Sequence, residues 1–207
     1  MSFLTVNQAE NALIKLGLSI FSVTEFGKIF NIKPAAARAF LSRNVKKNGS
    51  HFSKIKRGLY AFSINPPTKF EIANRIYQPS YISFETALSY YNIIPETVYS
   101  VTCATTKKSK EFNVQNSIFK YYKIKKNLFF GYAPQKIRNK TILMAEKEKA
   151  LLDYVYYLSL KSQPFIERLD LNKINTDRLG YFENFFKKAI KKNKAFTNLI
   201  NEIYKSL

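Results

Sequence analysis

The chain has no tryptophan, a single cysteine, a single histidine and only 14 acidic residues among 207. One cysteine, Cys103, excludes an internal disulfide and any multi-cysteine zinc site, and it suits a reducing compartment. One histidine, His51, leaves no imidazole cluster; neither a metal nor another cofactor is expected, since no second cluster of acids would complete a ligand set. No run approaches the ~18 continuous apolar residues of a membrane span. Residues 1–16 also lack the basic start and apolar stretch of a signal peptide. Together these absences predict a soluble, cytoplasmic protein with no membrane partner.

Against the few acids stand 34 lysines and arginines, giving a net charge of +20 and a pI near 9.9. Such an excess predicts a polyanionic partner, either nucleic acid or an anionic membrane surface. Only seven of the cations are arginine. Abundant Lys, Asn, Ile, Tyr and Phe are also what an AT-rich genome produces, so the placement of charge carries more weight than its total. Residues 1–62 hold ten Lys or Arg against two acids, Glu10 and Glu25, while residues 63–207 hold 24 against 12. A 46% hydrophobic content supports a real core, either in one large domain or in a small domain followed by a larger one.

Three capping boxes mark helix starts by pairing a hydroxyl with Glu or Gln three residues later: Thr5 with Gln8, Ser22 with Glu25, and Thr68 with Glu71. The first predicts a helix over 6–16 with Ala9, Leu13 and Leu16 on one side. The second predicts one over 23–30 with Phe26, Ile29 and Phe30 buried. After the turn "NIK", Pro34 occupies a first helical position, where its missing N–H costs nothing. This third helix, over 34–44, gathers Ala37, Phe40 and Leu41 on one side and Ala35, Arg38, Ala39, Ser42 and Arg43 on the other. "VKKNGSHFSKIKRGLYAF" then reads as two strands about polar turns, with Gly58 permitting the bend. Three helices and a basic hairpin predict a winged helix-turn-helix over residues 1–64. "SINPPTK" is the predicted linker.

Residues 68–207 predict a second, mixed α and β domain that ends in helices, making the whole an α+β protein. Helices are expected near 69–77 and 84–91. Strands are expected in "ETVYSVTCATTKK", "SIFKYYKIKKNLFFGYAP" and "KTILMA". "EKEKALLDYVYYLSL" reads as a helix, and two more close the chain near 177–192 and 195–205.

In a helix-turn-helix the second helix of the motif enters the major groove, and cations flanking it hold phosphates. Ala35 and Ala39 at the front allow close approach, and an alanine methyl can meet a thymine methyl. Arg38 and Arg43 are the candidate base or phosphate contacts, and Ser42 lies between them. Lys33, Lys46 and Lys47 are expected beside the backbone, with Lys54, Lys56 and Arg57 gripping from the hairpin. Such modules also dock proteins, and alanine also serves helix propensity.

Glu146, Glu148 and Asp153 are the acids that could suggest a metal-dependent nuclease, and Glu146, Lys149 and Asp153 share one helix side. The competing reading is a solvated helix start, in which Glu146 and Glu148 favour the dipole beside Lys147 and Lys149. His51 lies in the hairpin without a nearby nucleophile, which suits a phosphate or solvent contact. Cys103 reads as a small buried hydrophobe. The runs "SYISF", "FKYY" and "FFGY" could stack bases on a sheet face, but they read first as core in a chain without tryptophan. "FFKKAIKKNK" sets Lys187, Lys188, Lys191 and Lys192 opposite Phe182, Phe185, Phe186 and Ala189, a packed helix with a lysine face that could add a second anion patch.

"RGLY" closing a hairpin, followed by "ANRIYQPSYISFETALSYYNIIPE", "VYSVTCATTKK" and "EKALLDYVYYL", resembles the AbiEi-type antitoxins of abortive-infection, type IV toxin-antitoxin systems. The resemblance runs over residues 22–158. It implies a bacterial phage-defence protein that is not an enzyme. Its winged helix would repress its own operon at inverted repeats in double-stranded promoter DNA, and its second domain would counteract a nucleotidyltransferase-like toxin. The DNA-reading helix would fall on 34–43 and the wing on 51–60. Tyr81, Ser83, Glu85, Glu148, Lys149 and Asp153 match the second domain's signature. Against this expectation stand a nuclease using Glu146, Glu148 and Asp153, and a winged-helix adaptor that binds protein only.

Overall fold

The computed structural model describes residues 4–45, 47–165, 168–191 and 193–207. Its fold is mixed α and β, and the chain divides into two compact units, Met1–Ile76 and Tyr77–Leu207.

In the first unit, helices α1 (Val6–Lys15), α2 (Val23–Ile29) and α3 (Pro34–Val45) accompany a three-stranded antiparallel sheet. Its strands are β1 (Ile20–Ser22), β2 (Phe52–Lys56) and β3 (Leu59–Phe62), in the order β1-β3-β2. The predicted caps form: Thr5 and Gln8 bond reciprocally, as do Ser22 and Glu25. Strand β1 carries no sequence signal of its own, being three residues that end at the Ser22 cap.

Phe26 sits at the centre of the core, with ring centroids 5.5 Å from Phe21, 4.6 Å from Phe30 and 5.4 Å from Phe40. Burial of one such ring is worth about 1.5–3 kcal/mol, and this cluster unites all three helices with the hairpin. Ile29 and Phe30 are only partly buried, because α2 ends there and the chain turns away. Leu16 is 55% exposed, since it is the α1 C-cap and leaves the helical stripe. The turn into α3 is tight. Ile32 N–H donates to the Gly27 carbonyl at 2.9 Å, and a Cβ on Gly27 would lie 3.0 Å from the Ile32 carbonyl oxygen.

The first compact unit runs past the predicted linker and includes α4 (Lys69–Ile76). The Thr68–Glu71 capping box starts that helix as expected. Polar contacts then hold it: Ser19 Oγ donates to Glu71 at 2.6 Å, Arg75 pairs with Glu25, and Lys56 Nζ donates to the Ile76 carbonyl.

The second unit contains a six-stranded mixed sheet, β4 (Ser80–Ile82), β5 (Ser100–Thr105), β6 (Lys110–Val114), β7 (Ser117–Lys123), β8 (Tyr132–Ile137) and β9 (Lys140–Ala145). Its order is β6-β7-β5-β4-β9-β8, with β5–β7 and β4–β9 parallel and the other pairs antiparallel. Strands β4 and β6 were not expected, one being very short and the other polar. Helices α5 (Phe84–Tyr90) and α6 (Lys147–Lys161) cover the sheet face that carries Tyr81, Thr102 and Tyr122. Helices α7 (Thr176–Ala189) and α8 (Lys194–Ser206) pack on α6. Cys103 is wholly buried within β5, and burial pushes its thiol pKa up, as the small-hydrophobe reading requires. Among the described residues no helix is long and apolar enough to cross a membrane.

Candidate functional site

Two groups of predicted residues separate by burial. In the first unit Ala37, Phe40, Leu41 and Asn44 turn α3 into the core. Lys33, Ala35, Arg38, Ala39, Ser42, Arg43 and Lys47 are all exposed, and Lys46 lies outside the described residues. At about 1.5 Å per residue, Arg38 and Arg43 stand roughly 7.5 Å apart along the helix axis, near two base steps of a duplex. Between them Ala35, Ala39 and Ser42 form a low surface, so a helix presented this way can approach a groove floor. Arg43 Nε donates to the Ala39 carbonyl at 3.3 Å, which steers the guanidinium along the helix surface.

Lys54 and Arg57 are exposed and available to an anion. Lys56 is half-buried with its ammonium on the Ile76 carbonyl, so it closes the C-terminus of α4 instead of extending from the hairpin. His51 is exposed, with Nδ1 3.2 Å from Ser63 Oγ. Beneath this surface Glu25 serves two partners. Burial works against its charge, yet the Ser22 N–H and the Arg75 guanidinium together hold its carboxyl below the ordinary 4.5.

In the second unit four of the six signature residues converge, although up to 72 positions separate them in sequence. Tyr81, Ser83, Lys149 and Asp153 are each fully buried. Lys149 Nζ ion-pairs with Asp153 Oδ1 and donates to Tyr81 OH at 2.7 Å. Tyr81 OH donates onward to Asp153 Oδ2 at 2.9 Å, and Ser83 Oγ donates to the same oxygen at 2.8 Å. The ammonium also lies 5.2 Å from the Tyr81 ring centroid, 5.4 Å from Phe130 and 5.2 Å from Phe186. The Tyr81 ring stacks on Tyr132 at 4.4 Å. Gly131, at φ 67°, leaves room for the lysine stem, since a Cβ there would approach Lys149 Cγ to 3.0 Å.

Electrostatics follow from that burial. Desolvation pulls the Lys149 pKa down, opposed in part by Asp153. Desolvation first, and then the Asp153 charge, push Tyr81 well above the phenol range. Every polar atom in the ring of four has a partner, so the network ties β4 to α6. Groups this deeply enclosed offer no face to a substrate, and what they control is the position of those two elements.

The solvated-start reading of α6 holds for Glu146 and Lys147, which are half-exposed, and fails for Glu148 and Lys149. Glu148 is 4% exposed and Lys149 0%, because α6 is the central helix of its unit. Ser83 precedes α5 in an N-cap position but makes no capping bond, its hydroxyl being committed to Asp153. The remaining signature acids go elsewhere. Glu148 Oε1 accepts the Asn175 N–H at 2.9 Å near the start of α7, and Glu85 lines a separate cavity with Thr102, Lys120 and Tyr122.

The three acids considered for a metal take three different partners. Glu146 receives Arg178 through both oxygens at 2.8–3.0 Å, Glu148 receives Asn175, and Asp153 receives Lys149. Among the described residues no group of three His, Cys, Asp or Glu side chains is placed to hold a metal ion. The sequence marks Phe130 and Phe186 as core, but it does not show that they and Gly131 complete the enclosure of Lys149.

No protein-family model matches this chain. No curated protein matches it either. The sites above therefore rest on geometry and chemistry.

Proposed function

We propose that the first unit is a winged helix that binds double-stranded DNA through α3, and that the chain is an antitoxin repressing its own operon at inverted repeats. The carrying observation is the α3 surface, where Arg38 and Arg43 flank exposed Ala35, Ala39 and Ser42 while Ala37, Phe40 and Leu41 anchor the opposite side. Lys33, Lys47, Lys54 and Arg57 would hold phosphates on either side.

The resemblance to AbiEi-type antitoxins supports the second half of the proposal, that the second unit counteracts a nucleotidyltransferase-like toxin in the cytoplasm. On this reading Tyr81, Ser83, Lys149 and Asp153 act by shaping the unit, and contact with a toxin falls to its surface.

Gel shifts of the protein on its own upstream DNA, against a random duplex of equal length, test the first half. Preference for the upstream sequence is expected, with log affinity falling on log salt by about 0.9 per phosphate contacted. Equal binding to both duplexes would refute the repressor reading. Growth rescue on co-expression with the adjacent toxin gene tests the second half.

A further inference from the structure

Residues 107–110, 123–126 and 187–191 are far apart in the chain, yet together they carry nine lysines and no acid. The second unit brings these stretches to one edge. Thr105 pairs with Lys123 across β5 and β7, and the Lys123 N–H donates to Ser109 Oγ at 2.9 Å. Lys125 Nζ then reaches the Ala189 carbonyl, at the end of α7, at 2.7 Å. All nine lysine side chains are exposed. Codon usage can raise the number of lysines, but it does not explain their convergence from three segments; of the nine, Lys187 is ion-paired with Glu183 at 2.7 Å.

Beside that edge α7 turns aromatic rings to solvent. Tyr181 is 54% and Phe185 40% exposed, which corrects the expectation that Phe185 packs in the core. Their centroids lie 5.2 Å apart. Phe130 backs Phe185 at 4.9 Å, and Arg178, itself clamped by Glu146, lies 5.5 Å from the Tyr181 ring centroid. Spacings of three and four residues align Arg178, Tyr181, Phe185 and Lys188 along one stripe of the helix. The rings are held from behind, so a ligand meeting them immobilises little that is not already fixed.

We propose that this surface binds single-stranded nucleic acid, with unpaired bases stacking on Tyr181 and Phe185 and phosphates held by lysines such as Lys126 and Lys188. The pairing of rings with cations selects this ligand. Bases in a duplex hide their faces inside the stack, whereas an unpaired base presents a face to a ring and its phosphate to a nearby ammonium. An acidic protein segment would satisfy the lysines but would leave the rings without a planar partner.

The test is fluorescence anisotropy of the full-length protein with short labelled oligo(dT) and oligo(U), in the presence of excess unlabelled upstream duplex to occupy α3. Tyr181→Ala with Phe185→Ala should weaken binding about tenfold per ring. The ring-keeping pair Tyr181→Phe with Phe185→Tyr should stay within about twofold of wild type, the stacking face being kept. Lys126→Glu with Lys188→Glu should lower affinity and flatten its salt dependence. Equal binding of both oligomers means the surface reads stacking and phosphate, while preference for oligo(U) adds the ribose hydroxyl; both support the proposal. If the double alanine variant melts below wild type, the ring-keeping and charge variants carry the test. Unchanged affinity in a folded double alanine variant would overturn the proposal, as would equal loss in the ring-keeping pair. So would displacement of the strand by polyglutamate as readily as by unlabelled oligo(dT) at equal charge, or by duplex DNA that abolishes the signal.

Discussion

Helices α3 and α6 place their charges in opposite directions. Helix α3 turns Arg38 and Arg43 to solvent and keeps its core side apolar apart from Asn44. Helix α6 buries Lys149 and Asp153 completely and surrounds them with Tyr81, Ser83, Phe130 and Phe186. A charge left in water retains its hydration until a partner arrives, so it can serve binding. A charge taken into the core has already spent its hydrogen-bonding capacity on the fold, and its value lies in the elements it fixes. On the proposed function, this difference makes α3 the recognising helix and α6 an architectural one.

The largest test of that assignment lies in α6. Lys149→Met should destabilise the second unit by about 3–5 kcal/mol in chemical denaturation, because Asp153 is left buried and uncompensated. Combining it with Asp153→Leu should recover much of the loss. If the double variant is as unstable as the sum of the single ones, the two residues are not acting as a pair.

The converse holds for α3. Arg38→Ala and Arg43→Ala should each change stability by less than about 0.5 kcal/mol. At a specific base contact each should cost about 1–3 kcal/mol of DNA affinity, and at a phosphate contact each should weaken all sequences alike. A stability loss without an affinity loss would erase the contrast between the helices.

Two smaller effects probe the frame beneath α3. Removing the Ser22 cap by Ser22→Ala should cost about 1 kcal/mol of first-unit stability. Glu25 supplies the last test, through pH. Its carboxyl is held below 4.5 in the folded chain, so its contribution is present above that value and is lost as pH falls through the lower, folded value. An acid melt should show this loss in wild type and not in Glu25→Gln, and identical acid profiles would remove Glu25 from the account.

The parts of this molecule legible in sequence are those governed by local rules. Capping boxes at Thr5, Ser22 and Thr68, proline at the head of α3, and the period that buries Ala37, Phe40 and Leu41 all act within a turn or two of helix. Strands β1 and β4 escape because three residues cannot show an alternation, and their pairing is decided by distant partners. The Lys149–Asp153 spacing was visible, but its burial was not. A lysine among acids at a helix start looks solvated until aromatic rings from α7 and the segment before β8 close over it. The exposure of Phe185 was hidden for the converse reason, since phenylalanine in an amphipathic pattern reads as core unless the packing of the neighbouring helix is known.

Gly131 and Lys149 also limit how this sequence can vary. The lysine stem occupies the space that a side chain at 131 would need, and the backbone there is left-handed. A change at 131 alone meets the stem, and a change at 149 alone strands Asp153. A single change at either position therefore carries a cost, and chains descended from this one should favour keeping the glycine and the lysine together.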